Sequence, residues 1–72
     1  MNTDTIGISA GLVWQALNDA EAMGAKQLKK VTKLKDKELF AAIGWLARED
    51  KVNIQVDPAD EKEYIFSLVQ DK

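Results

Sequence analysis

Cysteine and histidine are both absent from the 72 residues. No disulfide can staple the chain, and the usual zinc-finger ligand sets cannot form. The commonest proton shuttle and the thiol nucleophile are missing with them. No run of about eighteen apolar residues occurs, and no basic start leads into an apolar segment with a cleavage site. The lack of cysteine fits a reducing compartment. These absences predict a soluble, cytoplasmic protein that is not an enzyme and takes no cofactor, metal or small-molecule substrate. The acidic pairs Glu49-Asp50 and Asp60-Glu61 fall where solvated turns are expected. Gly7 and Gly11 have no following Gly-Lys-Ser/Thr, so they form no phosphate loop. Neither long helix expected below is cationic enough on its polar face to lie on a membrane.

Length sets a further bound. A chain of this size buries only about 60% of the surface its unfolded form exposes. One domain spanning residues 1–72 is expected, with association of two copies as the remaining common source of extra stability.

The apolar residues are spaced for helices and then for strands. Ile6, Ala10, Val13, Leu17 and Ala20 form one stripe of a first helix from about Asp4 to Glu21, with Thr3 as N-cap and Ser9 as a competing cap. Two further arcs, Gly7-Gly11-Trp14 and Ile8-Leu12-Ala16-Met23, make this helix apolar on more than one side, the second side fitting another subunit. Met23-Gly24-Ala25 breaks the helix and suits a very short strand. Leu28 and Val31 mark a second helix over Lys26–Thr32, Leu34 a turn, and Leu39, Ile43 and Leu46 a third helix over Asp36–Glu49. Lys33 occupies the tight turn, where glycine would be easier if a left-handed conformation is required. VNIQV then alternates Val52, Ile54 and Val56 inward, Asp57-Pro58-Ala59-Asp60 supplies a turn, and YIFSL returns with Tyr64, Phe66 and Leu68 on one face. The last few residues are expected to fray.

Helix, helix and hairpin in this order predict an α+β winged helix-turn-helix: three helices packed on a two- or three-stranded antiparallel sheet. The expected core is Ile6, Ala10, Val13, Leu17, Leu28, Val31, Leu34, Leu39, Ile43, Leu46, Val52, Ile54 and Phe66. The segments AGLVW (10–14) and AIGWLARED (42–50), followed by KVNIQV, resemble a family of short bacterial winged helix-turn-helix proteins of unknown function. The similarity runs from Ile6 to Leu68, and its most specific elements are the Ala10-Gly11-x-x-Trp14 spacing and the run Gly44-Trp45-Leu46. The resemblance implies the winged helix fold and, by analogy, nucleic-acid binding. It brings no catalytic residues. Lys33 departs from the glycine common at the turn of such motifs.

Charge is unevenly distributed. The net charge is −2, yet Lys26, Lys29, Lys30, Lys33, Lys35 and Lys37 face only Asp36 within residues 26–37, a local +5 that leaves −7 elsewhere. Such a band is either a solvated helical face or a surface for phosphates. With Arg48 it makes the candidate nucleic-acid contact, weak and salt-sensitive, with a salt slope near about −5 if all six lysines meet phosphates. The third helix is poorly equipped to read bases. Lys37, Glu38, Ala41, Ala42, Trp45, Arg48 and Glu49 are expected outward, and bases are usually read by Arg, Lys, Asn or Gln. The acidic wing (Asp57, Asp60, Glu61, Glu63) opposes phosphate.

Two functional classes follow. One is a DNA-binding, transcription-associated module with duplex DNA as partner. The other is a protein-interaction or homodimerisation module that has lost DNA reading, with Gly11, Trp14, Ala41, Ala42 and Trp45 as its interface. For the glycines and tryptophans the simpler expectation is close packing of the first and third helices, a tryptophan covering each glycine notch, since glycine inside a helix costs about 1 kcal/mol relative to alanine.

Overall fold

The computed structural model describes residues 1–69; the fraying expected at the last few residues falls on 70–72, outside those described. The element order is α1 (Thr3–Asn18), β1 (Met23–Gly24), α2 (Ala25–Thr32), α3 (Asp36–Arg48), β2 (Val52–Asp57) and β3 (Asp60–Leu68). The three strands form one antiparallel sheet in the order β1-β3-β2, on which the helices pack. This is the α+β winged arrangement read from the sequence, in its three-stranded form.

Local chemistry explains the boundaries. α1 starts one residue earlier than its pattern indicated, because Asn2 and not Thr3 is the cap. The Asn2 side-chain oxygen accepts from the Thr5 N–H at 2.9 Å, and the Asn2 N–H donates to Thr5 Oγ1 at 2.8 Å. Ser9, the competing cap, lies buried inside the helix. α1 ends at Asn18, short of the expected Glu21, so Met23 is free to pair with Phe66 in the sheet. At the α2–α3 turn, Lys33 adopts the left-handed conformation at φ 62°, a cost that glycine would avoid. Three hydrogen bonds hold it there: Lys33 N–H to Lys29 O at 2.7 Å, Thr32 Oγ1–H to Leu28 O at 2.6 Å, and Leu34 N–H to Thr32 Oγ1 at 3.3 Å. The Lys35 N–H donates to a Glu38 carboxylate oxygen at 3.0 Å and so opens α3. Asp57 closes the wing turn by accepting from the Ala59 N–H at 2.8 Å.

The core is built from Ala10, Val13, Ala16 and Leu17 of α1, Met23 of β1, Ala25 and Leu28 of α2, Leu39, Ala42, Ile43 and Leu46 of α3, Val52 of β2 and Phe66 of β3. Four expected core positions differ. Val31 and Ile54 are exposed, while Ile6 and Leu34 are half-buried. α2 is only two turns long and turns Ala25 and Leu28 inward, which leaves Val31 on its flank. Ile54 belongs to the inward face of β2, but burial fades along that face from Val52 (8% exposed) to Ile54 (47%) and Val56 (52%). The hairpin outruns the helices that cover its base. Nor do the described residues cover the second apolar side of α1, where Ile8, Leu12 and Trp14 stay exposed.

Candidate nucleic-acid interface

The lysine band lies on α2, the turn and the first residues of α3. Lys26 and Lys30 follow an i, i+4 spacing, which sets them along one side of α2, and Lys33 follows at its left-handed C-cap; all three are exposed. Two members of the band have acidic partners. Lys29 Nζ lies 2.6 Å from Asp36 Oδ1, tying α2 to the first turn of α3, and Lys26 Nζ lies 3.5 Å from Glu63 Oε1 on β3. These exposed ion pairs contribute at most about 1 kcal/mol each, and they pair two of the six lysines with acids of the same chain. Lys30, Lys33, Lys35, Lys37 and Arg48 are exposed and, among the described residues, have no ion-pair partner.

The solvent face of α3 is smoother than its sequence indicated. Leu39, Ala42, Ile43 and Leu46 point inward. Directly opposite run Lys37, Ala41, Gly44 and Arg48, at i, i+4, i+7 and i+11. Lys37 and Arg48 are therefore separated by about 16 Å of helix axis, with only small residues between them. Phe40 and Trp45 flank this strip, Phe40 towards the wing and Trp45 towards α1, and both are about half exposed. Glu38 is half-buried and occupied with the Lys35 N–H. The wing carries Asp57, Asp60, Glu61 and Glu63 at and beside its turn. Lys62 is the one cation among them.

The candidate protein interface fares differently. Ala42, expected outward with Ala41 and Trp45, is fully buried (0% exposed) against the core, because the inward arc of α3 is centred between Leu39 and Leu46. Ala41 is half-buried, whereas Gly11, Trp14 and Trp45 are exposed. They line an open groove between α1 and α3 together with Gly7, Ala10, Leu46 and Lys51. The expected glycine notches are also absent. A Cβ placed on Gly11 or Gly44 meets nothing within 4 Å; only at Gly7 does Trp45 approach, its Cζ2 at 4.0 Å. Close helix packing thus does not account for either glycine. Gly11→Ala and Gly44→Ala should each raise stability by about 0.5–1 kcal/mol through helix propensity alone, read as higher urea midpoints with unchanged slopes.

Phe40 and Gly44 were missed from sequence. The heptad-like spacing of Leu39, Ile43 and Leu46 identifies the buried arc but not its centre, and a shift of one position exchanges Ala42 for Gly44 on the outer face. Among the described residues, no group of three or more acidic side chains is placed to hold a metal ion, and no helix is long and apolar enough to cross a membrane.

A helix-turn-helix whose last helix is followed by a β-hairpin on a three-stranded antiparallel sheet is a winged helix-turn-helix protein. The chain belongs to the winged helix-turn-helix domain family DUF2582, whose model matches residues 1–68. Among solved structures it is similar to protein BT2368 from Bacteroides thetaiotaomicron, determined by NMR in solution, with 32% identity and a TM-score of 0.80 over 94% of this chain and 79% of that one. It is similar to BpsR from Bordetella bronchiseptica, whose DNA binding is regulated by 6-hydroxynicotinic acid, with 20% identity and a TM-score of 0.79 over 96% of this chain and 52% of that one. A mutant MarR from E. coli complexed with operator DNA gives 17% identity and a TM-score of 0.76 over 96% of this chain and 46% of that one. The chain spans about half the length of the BpsR and MarR chains, and at those identities the likeness is one of fold. No curated protein matches the sequence.

Proposed function

We propose that this winged helix is a non-enzymatic DNA-associated module that holds duplex phosphates through its lysine band and does not read base sequence. The observation that carries this reading is the set of five exposed cations without acidic partners among the described residues, Lys30, Lys33, Lys35, Lys37 and Arg48, gathered on the helix-turn-helix. Lys37 and Arg48 stand at the two ends of the outer strip of α3, about 16 Å apart along the axis. A helix whose outer strip faces the major groove carries these two cations at its ends, from which their long side chains can reach flanking phosphates. Between them Ala41 and Gly44 permit close approach but offer no bidentate hydrogen bonds to base edges. The acidic wing stays clear of the backbone. The structural likeness to BpsR and MarR, both described with DNA, supports the choice of partner.

The test is a binding titration of the full chain with unrelated duplexes across a range of salt concentration. Five phosphate contacts predict a slope of log K against log salt near about −4.5, with duplexes of different sequence bound within a few-fold of one another. No binding at low salt, or binding indifferent to salt, overturns the proposal.

A further inference from the structure

β2 is an edge strand, since the sheet order is β1-β3-β2. The Val69 N–H donates to Lys51 O at 3.0 Å, and the register pairs Asn53 with Ser67 and Gln55 with Ile65. In an antiparallel ladder this phase turns the backbone of residues 51, 53 and 55 towards β3. The N–H and C=O groups of Val52, Ile54 and Val56 therefore point away from the sheet. Natural edges are usually protected by charge, proline or a bulge. Here the run from Val52 to Val56 has neither charge nor proline, and the one register shift comes after it, between Val56 and Asp57. Ile54 is also half exposed beside Phe40 and Tyr64, and Val56, half exposed as well, pairs with Tyr64; together they form an apolar patch next to the open edge.

The segment Lys51–Asp57 reads Lys-Val-Asn-Ile-Gln-Val-Asp, and it is complementary to its own reverse. We propose that β2 pairs antiparallel with β2 of a second copy, about a twofold axis centred on Ile54, to give a continuous six-stranded sheet. Ile54 then faces Ile54 of the second copy, Val52 faces Val56, Asn53 faces Gln55, and Lys51 faces Asp57 at each end. The outward backbone groups of Val52, Ile54 and Val56 are those that the pairing needs. Apolar side chains meet on the face that carries Phe40 and Tyr64, amides meet on the other, and unlike charges close both ends. Neighbouring registers are worse. Centring on Asn53 shortens the ladder, because Val56 and Asp57 then fall opposite Asp50, at φ 58°, and Glu49, the C-cap of α3, while centring on Gln55 sets Pro58, which lacks an N–H, against Val52. The lysine band lies on other elements, so this association is independent of DNA binding.

Sedimentation equilibrium of the full chain from micromolar to millimolar concentration tests the pairing, with DNA absent. A reversible monomer–dimer equilibrium is expected. Ile54→Lys, which sets two like charges directly opposite at a half-exposed position, should raise its Kd about 10-fold or more. Lys51→Glu and Asp57→Lys should each raise it several-fold, and the two together should bring it most of the way back, the remainder coming from the Ala59 N–H contact that Asp57→Lys removes from the wing turn. Hydrogen exchange at the Val52, Ile54 and Val56 amides should slow as concentration rises. A chain monomeric at every concentration, a dimer unmoved by Ile54→Lys, or charge reversals that fail to compensate would overturn the proposal. Should Ile54→Lys not fold, the charge-reversal pair and the exchange rates decide.

Discussion

With Lys30, Lys33, Lys35 and Lys37 all replaced by glutamine, duplex binding at low salt is expected to weaken on the order of 100-fold, and the salt slope to flatten from about −4.5 to about −1. Each lysine that neutralises a phosphate releases a condensed counterion, so removing four contacts removes about four counterions from the equilibrium. Substitution at Lys29 should do less, because its ammonium already faces Asp36 at 2.6 Å. Lys62→Gln is the control. Lys62 lies among the wing acids Asp60, Glu61 and Glu63, and its loss should leave both affinity and slope unchanged within error. The four lysines are exposed, so their substitution leaves the core intact. Lys30, in the last turn of α2, gives up only the dipole interaction of a cation there, about 0.3–1 kcal/mol. Thermal melts should remain cooperative. An unchanged slope in the fourfold variant, or an equal loss from Lys62→Gln, would show that the band is not the contact.

The parts of the fold legible in the sequence are those where periodicity and burial coincide. Leu39, Ile43 and Leu46 sit at helical spacing under the sheet, and Ala10, Val13 and Leu17 do the same on α1; all six are buried. The short strand at Met23-Gly24 was readable because the helical pattern stops before it, and its pairing to Phe66 and Ile65 follows from the hairpin's return. The lysine band was readable as charge density, but its two ion pairs were not. Glu63 is 37 residues from Lys26 in sequence, and only the packing of β3 beside α2 brings them to 3.5 Å. The centre of the inward arc of α3 was similarly hidden. Ala42 is small enough to fit either face, and which face it takes depends on how α3 leans on α1 and the sheet. Alternation along β2 gave the right face and the wrong depth, since it carries no information about where the covering helices end. The unpartnered face left by that mismatch is where the edge-pairing proposal lies.

Phe66→Ala and Val31→Ala put this difference between pattern and burial on an energetic scale. Both residues read as core in the sequence, yet Phe66 is 2% exposed and Val31 is 53% exposed. Phe66 lies on the central strand, paired with Met23 on one side and Ile54 on the other, and is the largest of the fully buried side chains. Truncating it removes a ring from between the sheet and the helices and leaves a cavity, at a cost of about 3–5 kcal/mol. A domain of this size has a total stability of roughly 4–11 kcal/mol at 0.05–0.15 kcal/mol per residue. The variant should therefore lose between about a quarter and all of its stability. A large fall in urea midpoint, or a chain already unfolded in buffer, is the expected result. Val31→Ala removes two methyl groups from the exposed flank of α2 and should shift stability by no more than about 0.5 kcal/mol. It also replaces a β-branched residue by the best helix former, which pushes the change towards zero or slightly above. Equal losses from the two substitutions would mean that Val31 is covered in solution, and the exposed flank that it shares with Leu12 would then have to be an interface.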